Sequence, residues 1–459
     1  MKLSLKFFVS VTLIVLCYSG VRAQYIFPEN FNAAKQDTLT QGQNADDEGN
    51  VFITVTPAVK NAIFTGEGAV GYTVKLKNAY KKPQEGKVRC FVTTEEGVKI
   101  YEDSINVKID KKSTTRYHFK IPCKNPGFYK IGFGFNLSLY DDTVKRVFGF
   151  NPKNITAIQH IPDDFDAFWK ASRDSLKKIP PKYKMTLERA LSINGQQVYL
   201  VEMQSWGNVT VRGWLTIPNE RPKKIPVKYR LPGYVVKMEP SFDDKDFAVF
   251  NFNVRGNGNS ADAIDTHGEY NLYNVENKDE YVYRAVYMDC IRGLDFLCAQ
   301  AAMGLDTSKI LVDGASQGGG LVLALAAMDK RVKLVTCEVP LYTNFRRAYE
   351  ITALDPQSQT PVGMLVNYVR THPSFSKEKL FKVWDYYDPV NFVPKIKCPV
   401  LMAIGLLDQF CPPECSFATY NVLKNKNKEI WVSPNKTHEV DDLYYTYQYL
   451  WYQDYFRMY

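Results

Sequence analysis

The stretch Lys309-Ile-Leu-Val-Asp-Gly314-Ala-Ser316-Gln317-Gly318-Gly319-Gly320 carries an apolar run into Gly-x-Ser-x-Gly, and residues 321–328 follow as an Ala/Leu-rich run. Strand, sharp turn and buried helix in that order make a nucleophile elbow, which holds its serine up at a strand end. Gly314 and Gly318 leave no side chain to clash where the backbone reverses. Serine is a weak nucleophile near neutral pH and needs a base within hydrogen-bond reach, with a third group to orient that base. The whole chain has five histidines: His118, His160, His267, His372 and His438. His438 sits on a loop after an apolar run at 429–432 and ahead of a closing helix, while the other four lie in earlier segments. Pro399-Val-Leu-Met-Ala-Ile-Gly405-Leu-Leu-Asp408 supplies the acid, an aspartate just past a strand end. Asp313, which precedes the elbow and points the wrong way in the pleat, and Asp243 and Asp244, which come too early, are poorer candidates. Each residue alone has a plain alternative: a Gly-rich turn, a turn aspartate, a loop histidine. Three together, each after a strand and in the order Ser316, Asp408, His438, read as a catalytic triad.

The intermediate formed at such a serine needs donors for its oxyanion. The backbone N–H of Gln317, next after the nucleophile, is one. The loop Leu231-Pro232-Gly233-Tyr234 follows an earlier strand and supplies the other, with Gly233 allowing close approach.

Positioning these residues requires a sheet. Residues 198–203 and 211–217 read as a strand pair, and strands at 225–231, 247–254, 309–312, 333–339, 399–404 and 429–432 alternate with helices at 281–302 and 441–456. That alternation predicts an α/β fold with a mostly parallel sheet covered on both faces. Asp163 or Asp164 is placed to cap a helix with Phe165, Phe168 and Trp169 on one face. Residues 341–388 lack a core strand and are rich in aromatics and Pro; they read as an insertion over the strand ends, where such sheets bind ligands. Its Trp384, Tyr386 and Tyr387 are candidates for bordering a small acyl pocket, against the plainer reading as core.

Upstream, about residues 51–151, seven β-rich runs separated by turn residues predict a small all-β sandwich of Ig-like type. A structural or spacing role is the plain reading and carbohydrate binding the sharper one. With 459 residues, two domains are expected: 24–155 for a lead-in and the sandwich, and 156–459 for the α/β part. Met1 to Ala23 has the parts of a signal peptide: Lys2 and Lys6, a short apolar core, and small residues around Arg22. Leu16 before Cys17 argues against lipidation. No other run is long and apolar enough to span a bilayer, so the mature chain is expected to be exported, periplasmic or secreted.

The formal charge of +9 falls by three, to +6, with Lys2, Lys6 and Arg22 removed, and no dense Lys/Arg block exists to mark a nucleic-acid footprint. Of nine cysteines, eight follow the leader. Cys90 and Cys123, on strands of the β region, are the best candidate disulfide, while Cys290, Cys298, Cys337 and Cys398 lie in apolar runs as buried thiols. Cys411-Pro-Pro-Glu-Cys415 lacks the companion Cys/His set of a zinc site, so neither metal nor cofactor is expected.

From about Ile161 to the C-terminus the chain resembles the acetyl xylan esterase and cephalosporin C deacetylase family, of α/β-hydrolase fold. The likeness rests on Asp163-Asp-Phe-Asp-Ala-Phe-Trp169, Tyr283-Arg-Ala-Val-Tyr-Met-Asp289, Gly314-Ala-Ser-Gln-Gly-Gly319, Phe345-Arg-Arg-Ala348 and Tyr387-Asp-Pro-Val-Asn391. It continues in Lys397-Cys-Pro-Val400, Gly405-Leu-Leu-Asp408 with Cys411-Pro-Pro413, and His438-Glu439. The resemblance implies Ser316, Asp408 and His438 as triad, Tyr234 and Gln317 as backbone oxyanion donors, and Gly314, Gly318, Gly319, Arg255, Gly256 and Glu439 as motif residues around them. It implies an acetylated carbohydrate as substrate and a homo-oligomer, although the added β domain leaves the oligomeric state open. Two departures stand out. Arg255-Gly256-Asn257 replaces Arg-Gly-Gln, shortening an amide, and Pro232-Gly233-Tyr234 replaces His-Gly-Tyr. A secreted prolyl-oligopeptidase-type peptidase shares the elbow but would need the repeating blades of a propeller. A non-catalytic carbohydrate-binding homologue would not need the complete triad.

Overall fold

The computed structural model describes residues 49–458. The expected leader and most of the lead-in lie outside the described residues. The N-terminal part holds eight strands: β1 (Val51–Pro57), β2 (Ile63–Phe64), β3 (Ala69–Asn78), β4 (Gln84–Thr93), β5 (Lys99–Ile109), β6 (Thr114–Pro122), β7 (Gly127–Leu137) and β8 (Tyr140–Phe150). They form a three-stranded sheet, β1-β3-β6, and a five-stranded sheet, β2-β8-β7-β4-β5. Alternation buries one face of each, as in β3, where Val70, Tyr72, Val74 and Leu76 point inward. Tyr72 and Phe119 of one sheet meet Phe133 of the other at 5.7 and 5.5 Å between ring centres, so the two sheets share one core, as expected of a sandwich. The two-residue β2 carries too little pattern to be read from sequence. Cys90 and Cys123 are free thiols, as are all eight described cysteines, which corrects the expected disulfide. Cys90 is fully buried inside β4, and Cys123 lies just past the end of β6 in the other sheet.

Next come α1 (Phe165–Lys177), β9 (Lys184–Leu187), β10 (Gln196–Gln204), β11 (Thr210–Pro218), β12 (Ile225–Leu231), β13 (Ala248–Asn253), α2 (Val282–Ala299), β14 (Leu305–Ala315) and α3 (Gln317–Met328). Then follow β15 (Leu334–Glu338), α4 (Phe345–Thr352), α5 (Pro361–Thr371), α6 (Lys377–Trp384), α7 (Pro389–Phe392), β16 (Val400–Gly405), α8 (Pro413–Val422), β17 (Lys428–Ser433) and α9 (Asp442–Phe456). Nine strands form one sheet in the order β17-β16-β15-β14-β12-β13-β11-β10-β9. The pairs from β17 through β13 are parallel, and β11, β10 and β9 continue the sheet antiparallel. Strands buried on both faces read as continuous apolar runs, and β16, Val-Leu-Met-Ala-Ile-Gly, is buried at every position. The expected α/β class with a mostly parallel sheet is what folds.

Local details differ from expectation in instructive places. Asp164 precedes α1 but makes no capping bond; its carboxylate accepts from the Tyr386 hydroxyl instead. Phe165, Phe168 and Trp169 do share the buried face. Asp441 does cap α9, accepting the Tyr444 N–H at 3.2 Å. Residues 341–388 fold as helices α4, α5 and α6 and contain no strand. Trp384 and Tyr387 are 1% and 0% exposed and Tyr386 is buried, so these rings are core. Trp384 stacks on Phe345 at 4.2 Å, and Trp169 meets Tyr387 edge-on at 5.7 Å.

The β sandwich is seated on the α/β part through α8. Phe128 of β7 packs on Phe417 of α8 at 5.4 Å, both rings buried. The Asn421 amide donates to the carbonyls of Pro152 and Ile155 at 2.9 and 2.8 Å. Arg347 of α4 donates to Glu414 of α8 and to Glu96 of the β4–β5 loop, both at 2.8 Å.

Candidate active site

β14 ends at Ala315 and α3 starts at Gln317, which leaves Ser316 alone in the turn with φ 57° and ψ −122°. A non-glycine residue holds such a backbone only where its surroundings over-determine it. Here the Ser316 N–H donates to the Glu338 carbonyl at 2.9 Å, and the Ser316 carbonyl accepts the N–H of Leu341 at 2.9 Å. Both partners flank the C-terminal end of β15, the parallel neighbour of β14. A Cβ on Gly318 would lie 2.3 Å from the Leu231 carbonyl oxygen, and one on Gly314 would lie 2.6 Å from Gly318. Only glycine lets the first turn of α3 press against both β14 and the loop after β12.

That loop is Pro232-Gly233-Tyr234. The Gly233 carbonyl accepts from the Val236 N–H at 3.2 Å, the Asn257 amide at 3.3 Å and the Gln317 side-chain amide at 3.4 Å. Gln317 is itself held by the Tyr283 hydroxyl, which donates to its Oε1 at 2.6 Å. In a trans peptide the C=O and N–H point in opposite directions, and the chain has no cis bond among the described residues. Three donors on the Gly233 oxygen therefore aim the Tyr234 N–H away from themselves. Among the described residues neither the Tyr234 nor the Gln317 backbone N–H has a protein acceptor. The Tyr234 hydroxyl, pushed up to about 12 by burial, donates to Asn271 Oδ1 at 3.0 Å. Asn271 Nδ2 donates in turn to the Pro361 carbonyl at 2.7 Å, tying the loop to the start of α5.

Asp408 follows β16 and His438 follows β17, so parallel pairing of these strands brings the two loops side by side. Asp408 Oδ1 accepts the N–H groups of Phe410 and Cys411 at 2.8 and 2.9 Å. Its Oδ2 is thereby turned to the imidazole and lies 2.9 Å from His438 Nδ1. A carboxylate can only accept, so Nδ1 carries the proton and the lone pair is left on Nε2. Phe410 stacks on the His438 ring at 5.0 Å and 29°. A Cβ on Gly405 would fall 2.1 Å from the Thr437 carbonyl and 2.9 Å from that of Glu439, so glycine is required where β16 touches the histidine loop. Ser316, Asp408 and His438 are all buried. Burial, then Asp408, pushes the Cys411 thiol well above its ordinary value, so it is a neutral thiol rather than a nucleophile.

The remaining motif residues act at one remove. Arg255 is buried in a two-pronged pair with Asp289 of α2, with Nε–Oδ2 and Nη2–Oδ1 both at 2.8 Å, and Asp289 raises its pKa against the cost of burial. Gly256 has φ 77° and turns the chain so that Asn257 reaches Gly233. The shortened amide reaches the Gly233 carbonyl at 3.3 Å. Gly319 packs against the Glu338 carbonyl and Pro340. Glu439 is half-exposed, with its carboxylate accepting from Lys436 at 2.9 Å. His118 lies on β6, and His372 stacks on Tyr368 at 3.9 Å. Asp313 pairs with Arg230 at 3.3 Å and accepts from Thr336 at 2.6 Å, on the face covered by α9. Sequence reasoning missed Asn271, a loop asparagine with no pattern around it, and the support that the Gln317 side chain gives Gly233.

The profile of the family described as acetyl xylan esterase (AXE1) matches residues 152–455, well over half of the chain. The chain belongs to the acetyl xylan esterase family. It is a carboxylic ester hydrolase of α/β-hydrolase fold, and acetyl ester hydrolysis is the activity of that family. It is 28% identical over 343 residues to the acetyl esterase Axe7A of Xylanibacter ruminicola, covering 72% of this chain and 74% of that protein. Acetyl xylan esterase 1 from Thermoanaerobacterium sp. JW/SL YS485 superposes with a TM-score of 0.59 at 25% identity, over 66% of this chain and 97% of its own. The acetyl xylan esterase from Paenibacillus sp. R4 gives 0.59 at 27% identity, over 66% and 98%. The residues that match the family model, 152–455, are those of the α/β part.

Proposed function

We propose that the protein removes acetyl groups from carbohydrate, acetylated xylan or its oligosaccharides, through a Ser316–His438–Asp408 triad. The observation that carries this reading is the Asp408–His438 bond at 2.9 Å, made from strand ends beside the serine elbow. Ser316 Oγ attacks the ester carbonyl and passes its proton to His438 Nε2. Asp408 holds the Nδ1–H tautomer and offsets the imidazolium charge. The N–H groups of Gln317 and Tyr234 receive the oxyanion. His438 returns the proton to the departing sugar hydroxyl, leaving an acetyl-enzyme. Water, deprotonated by His438, then releases acetate and restores Ser316.

The carbohydrate assignment is supported by the acetyl xylan esterases and the acetyl esterase to which the chain is similar. Export is supported by the composition of residues 1–23; among the described residues no helix is long and apolar enough to cross a membrane. Residues 24–155 are read as a spacing module, 156–459 as the catalytic unit, and 341–388 as an insertion over its strand ends. Acetate release from acetylated xylo-oligosaccharides tests the whole reading. Wild type should release acetate and Ser316→Ala should lose about four or more orders of magnitude in rate. Cleavage of dipeptidyl substrates without acetate release would replace it with a peptidase. Equal inactivity of both proteins with retained xylan binding would leave a binding protein.

A further inference from the structure

The Cys411-Pro-Pro-Glu-Cys415 stretch lacks the companion Cys/His set of a zinc site in sequence, but the fold sets a histidine beside it. Asp408, Cys411 and His438 each offer one ligand atom, and these atoms all lie within 4.8 Å of one another, with all three residues buried. Two are locked together by the turn in which the Cys411 N–H donates to Asp408 Oδ1 at 2.9 Å. The third is brought across by the bond from His438 Nδ1 to Asp408 Oδ2 at 2.9 Å. Thiolate, imidazole and carboxylate are the ligand set of tetrahedral Zn²⁺, with bonds of about 2.0 to 2.3 Å, which set neighbouring ligand atoms about 3.3 to 3.5 Å apart. The ligand atoms, none more than 4.8 Å from another, need shift little to reach that spacing.

We propose that Asp408, Cys411 and His438 form an inhibitory site for a thiophilic divalent cation, Zn²⁺ foremost, whose occupation switches the esterase off. The inference rests on His438 being the base for Ser316. A cation on Nδ1 takes the lone pair there and leaves the ring proton on Nε2, so the ring can no longer accept from Ser316. On binding, the Cys411 thiol and His438 Nδ1 give up their protons, the thiol's to water and the ring's to Nε2, the Asp408–His438 bond opens, and water completes the fourth position. Removing the cation restores the resting tautomer, so the effect is reversible.

The test treats the full-length protein with chelator and titrates Zn²⁺ against acetate release, comparing each variant with its own metal-free rate. Wild type should be inhibited and recover on renewed chelation. Cys411→Ala should need about tenfold or more Zn²⁺ for half-inhibition, whereas Cys415→Ala should respond as wild type does. Co²⁺ is titrated in parallel into Ser316→Ala. A thiolate-to-cobalt charge-transfer band should appear there and vanish when Cys411→Ala is added. Zn²⁺ inhibiting Cys411→Ala as strongly as wild type, or a cobalt band indifferent to Cys411, would overturn the proposal. Absence of the band overturns the site whether or not the protein hydrolyses esters. A band without any hydrolysis leaves the cation site standing and overturns the reading of the serine centre.

Discussion

The Asn257 side-chain amide lies 3.3 Å from the carbonyl oxygen of Gly233 and helps fix the peptide that presents the Tyr234 N–H. Losing that donor leaves the Gly233 oxygen to Val236 and Gln317 alone and lets the peptide rock. Asn257→Ala should lower kcat roughly tenfold, less than the ~100-fold expected for deleting an oxyanion donor outright, with KM little changed. Asn257→Gln should recover most of the loss. Steady-state kinetics on a chromogenic acetate ester separate kcat from KM, and an Asn257→Ala effect confined to KM would contradict the assignment.

Gly405 is where β16 meets the loop that carries His438. A methyl group there would sit 2.1 Å from the Thr437 carbonyl, and backbone oxygens cannot rotate away as a side chain can. Gly405→Ala should cost about 1 to 3 kcal/mol of stability and reduce kcat by displacing His438. Thermal unfolding and kcat measured on the same preparation check both effects.

Asp388 is buried and its pKa is raised to about 7, by burial above all, even though the N–H groups of Phe345, Val390 and Asn344 donate to it. A carboxyl that binds its proton more tightly folded than unfolded adds stability below its unfolded value near 4, and that stability is lost as pH rises through about 7. The stability of wild type relative to Asp388→Asn should therefore fall between pH 4 and pH 8. Denaturant titrations at several pH values across that window read the difference; a difference that rises with pH would refute the sign.

At the seam between sandwich and catalytic part, apolar contact should outweigh the ion pair. Phe128 and Phe417 are 3% and 2% exposed, so Phe128→Ala should destabilise by about 3 kcal/mol or more. Glu96 is half-exposed where it meets Arg347, and Glu96→Gln should cost less than about 1 kcal/mol. Calorimetric melting of the two variants beside wild type ranks them.

The sequence carried the strands that lead to Ser316 and Asp408, because central parallel strands are long apolar runs with few alternatives, and the edge strand β17 before His438 by its Ile-Trp-Val stretch. It also carried the order of these residues along the chain. What it could not carry is whatever depends on a partner far along the chain. Asp164 looks like a helix cap until Tyr386 arrives to claim its carboxylate. Trp384 and Tyr387 look like pocket walls until Phe345 and Trp169 cover them. Cys90 and Cys123 look pairable because each sits by a strand, yet nothing in a linear pattern says that those strands belong to opposite sheets. Asn271 carries no pattern at all; its four partners converge on it from residues 234, 281, 342 and 361.

The strained turn at Ser316 exists only because Glu338 and Leu341 hold it, and the acid and base that would activate it come from the last two strands of the sheet. During synthesis these strands leave the ribosome well after the elbow. With the proposed triad, a growing chain displays its serine well before its base, and hydrolysis has to wait until β17 docks. On that reading, a break in the chain anywhere between β14 and β17, by a premature stop or by a protease, would leave a serine elbow with no base.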